Sequence, residues 1–146
     1  MAKNLINGKC YDWNDISIDV DGMENIEVTS ISYGDKQEHE GVYGRGGRYR
    51  GYGTGNTTNQ VSIEMLREDF DEYCRILKKK GYNNFYDYVI PKIAVSYANA
   101  GEQTSTDVLT KVKLGSRDTN PKQGEKSVTF KTDGVAYGGI KWNGMN

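Results

Sequence analysis

One histidine, two cysteines and two prolines occur among 146 residues, and neither sign of charge is in excess. Each shortage closes off a class of chemistry. With His39 as the sole imidazole, a Ser-His-Asp triad or a histidine-rich metal centre has almost nothing to draw on. In an extended segment His39 points away from Glu38 and Glu40, so a metal site there needs distant partners that no spacing announces. Cys10 and Cys74 lie far apart and match neither a zinc-finger spacing nor a redox pair, so a reduced, intracellular protein is expected, with Cys74 as helix filler. Nineteen basic side chains stand against twenty acidic ones, which gives no whole-molecule attraction for nucleic acid or an anionic membrane. No apolar run approaches the length of a membrane span, and Met1 to Gly8 lacks the apolar stretch of a signal peptide. The Asn56-Thr57-Thr58 sequon carries no weight without a secretory route.

The chemistry of a catalyst is missing as well. No serine stands in a Gly-x-Ser-x-Gly elbow, and the glycine-rich stretch completes neither a dinucleotide fingerprint nor a phosphate-binding loop. Carboxylate pairs such as Asp71 and Glu72 read as solvated faces. No catalytic residue, cofactor site or metal site is assigned, and the chain is read as a non-enzyme.

What is present is alternation. Ile16, Ile18 and Val20 alternate with polar residues, Asp21-Gly22 is a turn signal, and the pattern resumes at Ile26 and Val28 and runs to Tyr33. The apolar phase changes between Val28 and Ile31, which predicts a bulge or a bend. Further strands are expected at Val61 to Met65, Ile93 to Tyr97, Val108 to Leu114 (inward at Val108, Thr110, Val112 and Leu114) and Val128 to Phe130, with Pro91 and Pro121 at strand starts or turns. Leu66, Phe70, Tyr73 and Leu77 form the stripe of one amphipathic helix over about residues 66–80. Acids crowd its first half, Lys78 to Lys80 its end, and Gly81 follows as a C-cap; the lysines read as a solvated helix end. The fold class is mainly β: one domain over residues 1–146, an antiparallel β-sandwich or small barrel with one flanking helix. A C-terminal tail, about 134–146, could add an edge strand, and its Trp142 either tucks into its own domain or docks on a neighbour.

Between two of these strands, over about residues 35–58, lies a long glycine-rich hairpin arm. Residues 41–55 hold seven glycines, three arginines, three tyrosines and no acid. Glycine loses the most conformational freedom on folding, so no core can be built here and something outside must order the segment. Tyr43, Gly44, Arg45, Gly46, Arg48, Tyr49, Arg50 and Tyr52 are the candidate contact residues, since arginine and tyrosine dominate binding energy at interfaces. Two partners suit that vocabulary. Single-stranded nucleic acid, RNA above all, would stack on the rings and guanidinium groups, but only three arginines are present and acids flank them. The other is a second copy of the chain, reached by strand addition.

The runs Asn7-Gly8-Lys9-Cys10-Tyr11-Asp12-Trp13, Ile31-Ser32-Tyr33-Gly34-Asp35-Lys36-Gln37-Glu38 and Val42-Tyr43-Gly44-Arg45-Gly46 resemble the tail tube proteins of contractile-tailed bacteriophages and phage-tail-like bacteriocins. The order of strands, arm, flank helix and further strands is similar over nearly the whole chain. The resemblance implies a hexameric ring that lends strands to one inner β-barrel, with rings stacked as a conduit for DNA or ions, which pass without specific binding. It implies a virion tail or tail-like particle assembled in the bacterial cytoplasm, with sheath, baseplate initiator and tape-measure proteins as partners and no membrane. Lumens in this family tend to be acidic, which makes Glu38 and Glu40 candidate lumen-facing residues; side chains two apart on a strand share a face.

Overall fold

A computed structural model of the protein describes residues 10–23, 26–98 and 103–145. Asn7 to Lys9 of the first resembling run, and Asn146 at the end of the tail, lie outside them. The main elements are β1 (Ile16–Val20), β2 (Val28–Tyr43), β3 (Tyr49–Leu66), α1 (Arg67–Lys79), β4 (Val89–Tyr97), β5 (Ser105–Leu114), β6 (Asp118–Thr119), β7 (Thr129–Ala136) and β8 (Ile140–Lys141). All pairings among them are antiparallel, in the order β1-β4-β5-β7-β3-β2, with β6 added to β7 and β8 to β5. The sheet does not close, because β1 and β2 are its two ends and do not pair.

The Asp21-Gly22 turn forms, with both residues at positive φ (53° and 70°), yet it joins no hairpin. β1 pairs with β4 and β2 with β3. Val20, Met23, Ile26 and Val28 are all buried along this connection, so the chain crosses the end of the core instead of folding back on itself. The bend expected between Val28 and Ile31 is present as a register shift between Val28 and Ser30.

Inward positions follow a two-residue period on β3 (Val61, Ile63, Met65) and on β4 (Ile93, Val95). On β5 the period breaks. Asp107 and Leu109 face inward, then Val112 and Leu114, with Lys111 between them at φ 51°. The expected inward set of Val108 and Thr110 is therefore wrong for the first half of the strand. Pro91 lies opposite the break: it sits inside β4, not at a strand start or turn, and the register runs unshifted from Ile90↔Val112 to Lys92↔Thr110 with Pro91 and Lys111 facing each other unpaired. A proline has no amide hydrogen to give the ladder, and the positive φ of Lys111 kinks β5 at the position facing it. The same kink divides β5 between two partners, β7 along Val112 to Leu114 and β8 along Val108 and Leu109.

α1 lays Phe70, Tyr73 and Leu77 on this core. Phe70 stacks on Phe130 of β7 at 3.8 Å between ring centroids and meets Phe85 edge-on at 5.8 Å. The helix stops as its sequence predicts. Gly81 takes φ 95°, its amide donates to the Lys78 carbonyl, and the Tyr82 amide donates to the Leu77 carbonyl, which together satisfy the last turn. The lysine triplet is not wholly solvated, however. Lys80 Nζ donates to Asp21 Oδ2 at 3.3 Å and to Tyr88 Oη at 3.1 Å, and the Tyr88 hydroxyl donates to the same carboxylate. The helix end is thereby tied to the turn after β1.

At the β5–β7 crossing, Gly134 allows an approach that no side chain would. A Cβ there would lie 2.5 Å from the Lys113 carbonyl oxygen, whereas one on Gly53 would meet nothing within 4 Å. Gly134→Ala is expected to lower stability by about 1–3 kcal/mol, and Gly53→Ala to change it by less than about 0.5 kcal/mol. Thermal melts of the two variants side by side check this.

Candidate assembly arm

β2 and β3 leave the body together. From Val61↔Tyr33 inward, β3 contributes buried residues; from Asp35↔Asn59 outward to the tip, neither strand buries a single one. The glycine-rich segment expected to lack local order thus forms an antiparallel ribbon, with register shifts between Gln37 and His39 and between Val42 and Tyr43, and the polar residues 35–40 belong to its strand. A two-stranded ribbon without a third strand or a covering helix is marginal in water.

The tip is a short 3-10 turn, Arg45–Gly47, closed by the Gly44 amide donating to the Arg48 carbonyl at 2.7 Å. Gly46 and Gly47 take φ 75° and 77°, which a residue with a Cβ adopts poorly. Arg45, Arg48 and Arg50 are exposed, and none pairs with a carboxylate among the described residues. The stem of Arg50 lies along Gly44, where a Cβ would come within 2.9 Å of its Cγ and Cδ.

The two faces of the ribbon differ. Opposed residues share a face, and successive residues alternate. The register Gly41↔Tyr52 and Tyr43↔Tyr49, with edge-on ring contacts of His39 on Tyr52 (6.2 Å) and Tyr43 on Tyr49 (6.1 Å), gathers these rings on one face. They are mostly in water, with Tyr43, Tyr49 and Tyr52 at 66%, 63% and 67% exposure. On the other face Glu40 opposes Gly53 and Val42 opposes Gly51, while Glu38 lies beside Gly55. Glu38 and Glu40 do share a face, as their spacing predicts, and that face is bare on the β3 side because its residues there are glycines.

The root of the arm is held by a cluster that the sequence does not announce. The Tyr33 hydroxyl donates to Asp107 Oδ2 at 2.5 Å and is also hydrogen-bonded to the Tyr97 hydroxyl. Tyr33 has one proton to give, so Tyr97 is the donor in the second bond. Asp107, buried to 7% exposure, accepts the Asn143 amide at 3.0 Å with its other oxygen. Trp142 lies over Tyr33 (5.1 Å between centroids) and donates through Nε1 to Asp35 Oδ2 at 3.1 Å. Trp142 thus packs on Tyr33 and Asp35 of its own chain and keeps 38% exposure. The tail itself begins later than residue 134, since Gly134 to Ala136 belong to β7 and Ile140–Lys141 pair with β5. Only the placement of Tyr33 at the end of an alternating run hinted at this cluster; its partners come from strands far away in sequence.

No group of three or more metal-ligating side chains occurs among the described residues, and no helix is long and apolar enough to cross a membrane. Burial, more than any other influence, pushes the Cys74 thiol pKa up.

No family model and no curated protein matches the chain. Solved structures do. A chain of the sheath–tube complex of an extracellular contractile injection system (PVC) in its extended state is 14% identical, with a TM-score of 0.61 over 91% of this chain and 92% of that one. A chain of the anti-feeding prophage (AFP) tube terminating cap is 12% identical, with a TM-score of 0.63 over 96% of each. Hcp1 from Flavobacterium johnsoniae is 19% identical, with a TM-score of 0.51 over 87% of this chain and 98% of that one. At these identities the likeness establishes the fold, which is that of Hcp-like tube proteins and of other structural parts of contractile injection systems.

Burial above all, then the hydrogen bond to Asp107, pushes the Tyr33 pKa far above the ordinary 10.0. The neutral phenol is thus favoured in the folded state. Its contribution to stability is complete below the unfolded value near pH 10 and is lost as the pH rises beyond it. Tyr33→Phe should cost about 1–3 kcal/mol at neutral pH, because Asp107 loses a donor, and should make the alkaline decline shallower. Denaturation midpoints at about pH 8 and about pH 11 test both effects.

Proposed function

We propose that this chain is a self-assembling structural subunit of the inner tube of a contractile, phage-tail-type particle. The observation that carries the proposal is the arm, a ribbon running out to Tyr43 and Tyr49 with both faces in water and none of the described residues of its own subunit covering either. Ordering each residue costs about 1–2 kcal/mol of backbone entropy, so such a ribbon persists only where another surface supports it. Assembly supplies that surface. It also covers the free edges that β1 and β2 present at the two ends of an unclosed sheet, which would otherwise be open to pairing with other chains. A fold shared with tube and cap chains of contractile systems supports the same reading.

In this reading six subunits form a ring, the rings stack, and DNA or ions pass through the lumen without specific binding. Arg45, Arg48 and Arg50 pair with acids of an adjacent subunit, Tyr43, Tyr49 and Tyr52 pack on its surface, and Glu38 and Glu40 face the lumen. Sheath, baseplate initiator and tape-measure proteins are the further partners, and the particle is assembled in the bacterial cytoplasm. Nothing here calls for catalysis.

Negative-stain electron microscopy over a concentration series, with light scattering for mass, should show rings or hollow tubes; a strictly monomeric species at high concentration would overturn the proposal. Arg48→Glu should prevent assembly while leaving the circular dichroism spectrum and melting temperature of the monomer unchanged. If rings still form, Arg48 is not part of the contact. Amide exchange of residues 41–55 should be rapid in the monomer and slow sharply on assembly, and strong protection in the monomer would contradict a ribbon ordered by its neighbours.

A further inference from the structure

The sequence Trp142-Asn143-Gly144-Met145 closes on itself beside Tyr33. The Trp142 amide donates to the Met145 carbonyl at 2.8 Å and the Met145 amide to the Trp142 carbonyl at 3.0 Å, with Asn143 at φ 51° and Gly144 at φ 84° between them. Positive φ at both central residues makes this a type I′ turn, the geometry that Asn-Gly favours. The turn carries the contacts that the tail makes past β8: the Asn143 amide on Asp107 Oδ1, and Trp142 over Tyr33 and on Asp35. It is a clasp across β2 and β5.

Among the asparagines of the chain only Asn7 and Asn143 precede glycine, and Asn7 lies outside the described residues. That order of residues has a chemical consequence. The backbone nitrogen of the following residue can attack the asparagine side chain, and glycine has no Cβ to crowd the approach. Elsewhere the attack is hindered: Asn84 accepts from the Tyr86 amide as a cap, and Asn120 precedes Pro121, which has no amide hydrogen to lose. Asn143 is exposed, and among the described residues no hydrogen bond engages its side-chain amide or the Gly144 nitrogen.

We infer that Asn143 is a deamidation site and that its conversion opens the clasp. The Gly144 nitrogen gives its proton to a base from the buffer and bonds to Asn143 Cγ; the Cγ–Nδ2 bond breaks, and that nitrogen takes up a proton and leaves as ammonia. Water then opens the cyclic imide at either carbonyl, to aspartate or to isoaspartate. The sum is amide plus water to acid plus ammonia, with nothing oxidised or reduced. Both products act on the clasp. Aspartate places a carboxylate on the residue whose own amide donates to Asp107, so a second negative charge comes beside one already buried to 7% exposure. Isoaspartate routes the backbone through the side chain, and the extra carbon removes the I′ geometry that aims the residue 143 amide and Trp142. Asp107 and Asp35 then lose donors, and Tyr33 loses the ring over it. The chemistry is independent of whether the chain assembles.

Ageing the unmodified protein in mildly alkaline buffer, with peptide mass spectrometry at intervals, tests the site. The peptide that follows Lys141 should gain the mass of an amide-to-acid change at Asn143, in aspartyl and isoaspartyl forms separable by chromatography. An Asn143 amide that persists in the folded protein, while the same chain converts in denaturant, would overturn the assignment. The clasp is read from Trp142 fluorescence in a Trp13→Phe background, since Trp13 is the other indole. Quenching by acrylamide should rise by about twofold in step with conversion, as Trp142 leaves the cover that holds it at 38% exposure. Full conversion with unchanged quenching would refute the opening of the clasp. Asn143→Gln, which has a larger and slower ring to close, should show no rise with age; a rise there would trace the change to another residue and refute the link. Freshly made Asn143→Asp should already show part of the rise, and quenching equal to that of the unconverted protein would remove the role given to charge.

Discussion

Two antiparallel strands have two faces and no interior, and the long β2–β3 ribbon has to live with that constraint. Inside the body the same two strands are ordinary: Val61, Ile63 and Met65 reach the core, and β7 covers the far side of β3. Beyond Asp35 and Asn59 that support ends, and every further residue must be ordered by the ladder alone or by something outside the subunit. The composition changes at the same place. Apolar inward residues stop, and glycine, arginine and tyrosine take over, residues that suit contact with a surface better than construction of a core.

A projecting ribbon is useful only if its direction is defined, and the root cluster defines it. Tyr33 and Asp35 are on β2, Tyr97 ends β4, Asp107 is on β5, and Trp142 and Asn143 belong to the tail. Four segments therefore meet where the arm leaves the body. A buried carboxylate such as Asp107 costs free energy unless its oxygens find partners, so the cluster is sensitive to small displacements in a way an apolar contact is not. The tail can reach the cluster because the Lys111 kink opposite Pro91 frees the first half of β5 to pair with β8.

Local pattern made some of this legible. The helix could be read from its stripe, its charge gradient and Gly81, because all three are properties of neighbouring residues. The arm could be located for the same reason, and so could the common face of Glu38 and Glu40. What could not be read depended on pairing across the chain. Asp21-Gly22 looks like a hairpin turn, but only the partners of β1 and β2 reveal that it crosses the core. Val108, Thr110, Val112 and Leu114 alternate well enough to suggest an unbroken strand, and nothing local says that Pro91 will lie opposite a Lys111 at positive φ, where the phase changes. Asp107 is a lone acid in an apolar run until Tyr33 and Asn143 are brought to it.

The distribution of charge completes the physical picture. A chain of net charge −1 has no strong field of its own, yet its three arm arginines sit on an acid-free segment that leads away from a net-negative body. Within one subunit no carboxylate among the described residues pairs with them. In the proposed assembly, the separation of a basic arm tip from a net-negative remainder favours attraction between units, head to tail. Head-to-tail contacts of this kind close into rings when the rotation between units returns to its start, and continue as filaments when it does not. A ring made this way still exposes a surface to the next ring. An assembly that closes in one direction and grows in the other is a tube.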